Sequence, residues 1–150
     1  MTKIKYYPED SRDFSTIGIK FPMNGSTGFF NMSTSTEDQA VTNYINLLLT
    51  KKGERYMQPE YGIGIQYRLF EPNTESLRTE IEFEINRQCL IWLPYIINHN
   101  IDVRNQVDIL GMSESENGIQ IIITFSVTNS LANKTITLFQ AQGQIQYLVE

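Results

Sequence analysis

Cysteine, histidine and tryptophan each occur once in this 150-residue chain, as Cys89, His99 and Trp92. A lone thiol excludes an internal disulfide and fits a chain made in a reducing compartment. One cysteine and one histidine also leave too few soft ligands for a zinc site, and only weak carboxylate pairs could serve a harder ion. Basic residues are outnumbered, with 12 Lys and Arg against 17 Asp and Glu for a net charge of −5. No basic cluster exists beyond Lys51, Lys52 and Arg55, which argues against binding a phosphate backbone. No apolar run approaches the ~20 residues that a membrane helix needs. The polar N-terminus lacks the apolar segment of a secretion signal, so a soluble cytoplasmic product is expected.

The same scarcity weakens every catalytic reading. Cys89 and His99 could in principle form a nucleophile pair. Cys89, however, falls on the apolar stripe of a predicted helix, where a thiol acts as an inert small hydrophobe. Glu54, Glu60 and Glu71 sit in loops, with no apolar pocket or acidic partner to make any of them the raised acid of a glycosidase. Gly62-Ile63-Gly64 lacks the third glycine and the preceding strand of a dinucleotide loop. The chain is expected not to be an enzyme and to take no cofactor, metal, nucleic acid, membrane or small-molecule ligand.

What the chain does have is a 41% hydrophobic content at a length suited to one domain, residues 1–150, with 1–13 as a flexible arm. Ile17 to Phe21 alternates and stops at Pro22, which suggests a short edge strand. Asn24 to Ser35 reads as a loop anchored by Phe29-Phe30. Thr36-Glu37-Asp38-Gln39 resembles a capping box, and Val41, Tyr44, Ile45, Leu48 and Leu49 follow at helical spacing. The first helix is predicted over about Glu37–Lys52, stopped by Gly53. Leu77, Ile81, Ile85, Cys89 and Trp92 mark a second helix, capped by Asn73 or Thr74 and limited by Pro94.

Beyond His99 the period changes to two. Ile101, Val103, Val107 and Ile109 alternate, and after the turn-rich 111–118 the run Ile119, Ile121, Ile123, Phe125 and Val127 is the clearest strand. Ile122 breaks the alternation and points to burial on both faces. A turn at 129–133 precedes a strand over Thr135–Phe139. Gly143 interrupts it, and Ile145–Val149 could extend the pairing. The predicted class is α+β: two main helices packed on a C-terminal antiparallel meander of three to four strands, with a short N-terminal strand.

The most specified stretch is Leu47–Pro72, where a helix end, a charged turn and a Pro-Glu-Tyr-Gly turn fix one long connection. Lys51, Lys52 and Arg55 suit the negative end of a helix dipole. Glu54 does not, and either pairs with a distant cation or joins Arg55 in a solvated pair.

Gly53-Glu54-Arg55-Tyr56-Met57-Gln58-Pro59-Glu60-Tyr61-Gly62, after Thr50-Lys51-Lys52 and before Leu69-Phe70-Glu71-Pro72, resembles a wedge subunit family of contractile-tail phage baseplates that has a counterpart in the type VI secretion baseplate. The likeness runs from about Ile17 to Val103 and includes Gly18-Ile19-Lys20-Phe21-Pro22. It implies a structural part of a virion tail, assembled in the bacterial host cytoplasm. Its partners would be other wedge subunits and the tail sheath protein, whose first ring would assemble on it. Wedge contacts are then expected at Gly53, Glu54, Arg55, Met57, Pro59, Glu60, Gly62, Phe70, Glu71 and Pro72, and at Trp92, Leu93, Pro94 and Tyr95. At this second place the family usually has Glu-Pro-Arg, and Leu93 and Tyr95 replace the two charges. The family's lysozyme-like label finds no acid pair here. The alternatives are a tail-completion or sheath-terminator adaptor and, more remotely, a cell-wall glycoside hydrolase.

Leu138 to Val149 holds neither Lys nor Pro, the residues that usually guard an exposed strand edge. An unguarded edge suits strand addition, so Thr135, Thr137, Phe139, Ile145, Tyr147 and Val149 are the expected sheath contacts. Tyr6, Tyr7, Tyr56, Tyr61 and Tyr67 crowd in or near loops, where tyrosines often make interfaces.

Overall fold

The computed structural model describes residues 16–20, 31–68, 71–72, 74–105, 119–128, 133–141 and 144–149. The N-terminal arm, Phe21-Pro22, Phe29-Phe30, Phe70, Asn73, Val107, Ile109 and the turns at 111–118 and 129–132 lie outside the described residues. The chain divides into two compact units, Met1–Asn43 and Tyr44–Glu150.

In the first unit, β1 (Gly18–Ile19) pairs antiparallel with β2 (Met32–Ser33). The pairing reaches one residue further each way, through Ile17 N–H to Ser33 O and Lys20 N–H to Asn31 O, both 2.8 Å. Among the described residues the strand thus covers only Gly18–Ile19 of the expected Ile17–Phe21, and its partner falls in a segment read as loop. Helix α1 (Thr36–Leu49) starts from Ser35, whose hydroxyl accepts the Glu37 N–H at 3.2 Å. The capping residue is therefore Ser35 rather than Thr36. Gln39, the would-be box partner, instead accepts the Ser33 hydroxyl at 2.5 Å and donates to Asn43 Oδ1 at 3.0 Å. Lys20 and Asp38 form an ion pair at 3.2 Å.

In the second unit, four strands form an antiparallel meander in sequence order: β3 (Ile96–Asn105), β4 (Ile119–Val127), β5 (Asn133–Ala141) and β6 (Gln144–Val149). The α+β class and the meander are as expected. β3 starts earlier than the period change suggested because the bulge between Asn98 and Asn100 hides the alternation around His99. Alternate residues Ile119, Ile121, Ile123 and Phe125 on β4 and Ile136 and Leu138 on β5 are fully buried. Each such side chain contributes roughly 1.5–3 kcal/mol by leaving water. The opposite face of β4 is also covered, with Gln120 and Ser126 buried and Ile122 half-buried.

The end of α1 meets this core through Tyr44. Its ring stands edge-on to Phe125, centroids 4.9 Å apart, and its hydroxyl donates to Asn98 Oδ1 at 2.7 Å. Helix α3 (Glu75–Trp92) buries Leu77, Ile81, Ile85 and Cys89 of the predicted stripe, and Trp92, its fifth member, is half-buried. Of the two candidate caps Thr74 is the one used: its hydroxyl accepts the Leu77 N–H at 3.2 Å. A one-turn helix, α2 (Ile65–Arg68), was not foreseen. It buries Ile65 and turns Arg68 toward Glu80 at 2.7 Å and Glu71 at 3.4 Å.

Candidate functional site

The segment from Thr50 to Gly64 folds back on the helix it leaves. Four carbonyls at the C-terminal end of a helix have no partner within it. Here Ile63 N–H donates to Leu47 O at 3.1 Å and Gly64 N–H to Thr50 O at 2.8 Å. The Lys51 N–H points out of the helix and donates to the Glu54 carboxylate at 2.9 Å, which is why α1 ends at Leu49 and not Lys52. Gly53 does have positive φ, 84°, and its N–H donates to Pro59 O at 2.8 Å, closing the tip of the loop. Inside that closure Gln58 N–H donates to Arg55 O, and just past it Tyr61 N–H donates to Gln58 O, each at 3.1 Å.

Side chains then fasten the loop to α3. The Arg55 guanidinium lies 3.8 Å from the centre of the Tyr61 ring, and Tyr61 stands edge-on to Trp92 at 5.4 Å. Burial pushes the Tyr61 hydroxyl above its ordinary range, although nearby Arg55 acts to lower it. Gln88, buried on α3, donates through Nε2 to the Glu60 carbonyl at 3.2 Å and to Glu84 at 3.3 Å. Glu84 also pairs with Lys52 from the loop and with Arg87 at 2.9 Å. Burial alone would raise the Glu84 carboxyl. Hydrogen bonds from Arg87, Lys52 and Gln88 outweigh that and bring it down to about 2.

Neither reading of Glu54 from the sequence describes what it does: it caps a backbone N–H, and Arg55 turns away onto Tyr61. The structure brings together two of the three expected surfaces, because Tyr61 and Trp92 join the loop to the end of α3. Glu54, Met57, Pro59, Glu60, Glu71 and Pro72 are exposed and Arg55 is half-buried, whereas Gly62 is buried inside the loop. Leu93 is buried in the turn from α3 to β3, where its N–H donates to Cys89 O. Pro94 is exposed, Trp92 and Tyr95 half-buried. The Tyr95 carbonyl accepts both the N–H and the hydroxyl of Thr128, at 2.8 and 3.0 Å. At this turn the Leu93 side chain is buried, and Tyr95 holds Thr128 through its backbone carbonyl.

The third surface is separate. β6 pairs only with β5 among the described strands, with Val149 opposite Ile136, Leu148 opposite Thr137 and Tyr147 opposite Leu138. Val149 is exposed, Thr135, Thr137 and Tyr147 are half-buried and Phe139 is buried. Ile145 is opposite Gln140 in the register. Sequence reasoning missed the outer side of α3. Phe83 and Leu90, seven residues apart and so on one face, are 67% and 77% exposed. Their spacing off the core stripe was the available signal.

Among the described residues the candidate catalytic groups lie apart, each in its own contacts. Cys89 is buried, and that burial pushes its thiol up to about 11 against the lowering effect of Tyr44 and Asn98. The His99 ring instead shares a 2.8 Å hydrogen bond with the Ser126 hydroxyl. Glu54 caps a backbone N–H and Glu71 pairs with Arg68. Among the described residues no group of three metal-ligating side chains occurs.

Compared with known families, residues 35–131 match the model of baseplate wedge protein gp25, well over half of the chain. The chain belongs to the baseplate wedge protein gp25 family. Membership gives it a structural role in a baseplate and puts the Gly53–Gly62 loop and α3 inside the matched region, with β6 beyond it. The comparison with curated proteins finds no match. Among solved structures, the chain shares its fold with a component of the anti-feeding prophage baseplate, at 21% identity and a TM-score of 0.56 over 75% of this chain and 86% of that one. A protein of Geobacter sulfurreducens named as a tail lysozyme is similar in fold at 24% identity and TM-score 0.57, over 79% and 96% of the two chains. A chain of the postcontracted pyocin R2 baseplate gives 21% identity and TM-score 0.49 over 70% and 95%.

Proposed function

We propose that this wedge-family chain joins its neighbours through the 53–62 loop and the end of α3, and starts the tail sheath by accepting a strand of a sheath subunit on β6. The contrast between the two sheet edges carries this reading. β3 has a bulge at Asn98–Asn100 and the charges Asp102, half-buried, and Arg104, exposed, features that discourage pairing. β6 has neither a bulge in its register nor a Lys or Pro in its sequence. Its backbone groups can therefore extend the ladder to another chain, with side chains on alternate faces giving specificity.

The test is co-assembly of this chain with the sheath and wedge proteins of the same particle, followed by electron microscopy. Sheath rings or tubes should begin only when the chain and the wedge are both present, and Ile145→Pro should stop them. Tubes that start equally well without the chain would sink the sheath-initiating role. Location of the chain at the far end of the tube would favour a sheath terminator, and peptidoglycan turnover by the purified protein would favour a hydrolase. Separately, Arg55→Ala should lower the yield of wedge complexes. An unchanged yield would count against the loop as a wedge contact.

A further inference from the structure

We infer that Tyr56 and Met57 form a rigid two-residue plug that seats in an apolar pocket on a neighbouring baseplate protein. The inference rests on the baseplate reading above and adds what the loop inserts and what receives it. Tyr56 is 95% exposed and Met57 86% exposed, more than any other large apolar side chain described. Neither has a hydrogen-bond, ring or ion-pair partner among the described residues. They occupy the turn closed by Gln58 N–H on Arg55 O, inside the wider closure by Gly53 N–H on Pro59 O.

Four charged side chains beside them are tied down. Glu54 is bonded to the Lys51 N–H, Arg55 lies on Tyr61, Lys52 is paired with Glu84, and Lys51 stands 4.5 Å from the centre of the Tyr67 ring. The frame thus spends four charged side chains on itself and holds the two apolar ones out. A tip already fixed in shape loses little freedom on binding, which favours affinity. Tyrosine and methionine are also enriched where proteins meet, and tyrosine is prominent among the residues that dominate binding.

The local chemistry defines the receiving site. The nearby cations are engaged within the chain, so the pocket needs no anion. It needs apolar walls for the Met57 thioether and the Tyr56 ring, and a polar group that can hydrogen-bond the phenol. An anionic lipid surface fits worse, since Glu54 and Glu60 flank the tip on a chain of net charge −5.

The test compares baseplates assembled from the subunits of one particle with the wild-type chain or with Tyr56→Ser/Met57→Ser. Because the two side chains are 95% and 86% exposed, the double variant should melt within about 2 °C of the wild type. Its incorporation in competition with the wild type should fall about thirtyfold, the effect of losing a strong interface anchor. Ile97→Ser, at a half-exposed apolar side chain on β3 away from the loop and its frame, serves as the control and should compete equally. A photo-crosslinking phenylalanine at position 56 should mark apolar residues of one neighbouring subunit. Equal incorporation of the double variant overturns the plug while leaving the baseplate reading intact. Absence of the wild-type chain from the particles overturns both. Tip-dependent flotation with phosphatidylglycerol vesicles would overturn the protein pocket in favour of a membrane.

Discussion

Gly62 lies directly against the carbonyl of Thr50, so closely that a Cβ on residue 62 would be driven into the Thr50 oxygen. With φ of 105°, residue 62 is also in a region that side chains avoid. The contact fixes where the loop returns to the end of α1, next to the hydrogen bonds from Ile63 and Gly64. Gly62→Ala should destabilise the protein by about 3 kcal/mol or more, combining backbone strain with a backbone collision. Gly53→Ala, also at positive φ but facing open space, should cost only about 1 kcal/mol. Urea unfolding of the two variants would show the difference directly.

Glu84 gives the protein a pH dependence of known sign. Its carboxyl is held near 2 in the folded chain against an ordinary value of 4.5. The folded state therefore binds fewer protons, and the stabilisation is present above about pH 4.5 and is lost as pH falls toward 2. Glu84→Gln should lose about 2 kcal/mol at neutral pH and show a flatter decline in stability between pH 5 and 2. Melting curves across that range would test this. Parallel declines in wild type and variant would show that other carboxyls dominate.

Cys89 should be unreactive while the protein is folded. Its thiol is buried and raised to about 11, and the attacking species is the thiolate. A thiol reagent at pH 8 should label it only after denaturant is added. Rapid labelling of the native protein would mean that the end of α3 opens readily.

Thr74→Ala should remove the hydroxyl that caps α3 at the Leu77 N–H. The expected loss is about 1 kcal/mol. Thr74→Ser should restore most of it, as measured by chemical unfolding.

The elements legible in the sequence were those whose burial has a simple period. Leu77, Ile81, Ile85 and Cys89 repeat at helical spacing and are all buried, and Ile119–Val127 alternates and forms the central strand. The illegible parts depend on contacts between distant residues. Two-residue pairing of Gly18–Ile19 with Met32–Ser33 leaves no periodic trace. The early end of α1 follows from Glu54 taking the Lys51 N–H, a choice made by the folded loop. The loop is legible as a specified segment because glycines, proline and charges crowd it. That Tyr61 would stand against Trp92 could not be read from spacing, because 31 residues separate them, and Arg55 reaches Tyr61 across a turn that has no period.

The fastening of the loop also has a mechanical side. A pull on the Tyr56–Met57 tip divides between two anchors: the backbone hydrogen bonds to Leu47 and Thr50, and the Tyr61, Gln88 and Glu84 contacts with α3. Several of these must break together before the tip can yield. The loop should therefore pass load into both helices as a stiff lever, and a subunit bolted to it would move with the helices instead of stretching a tether.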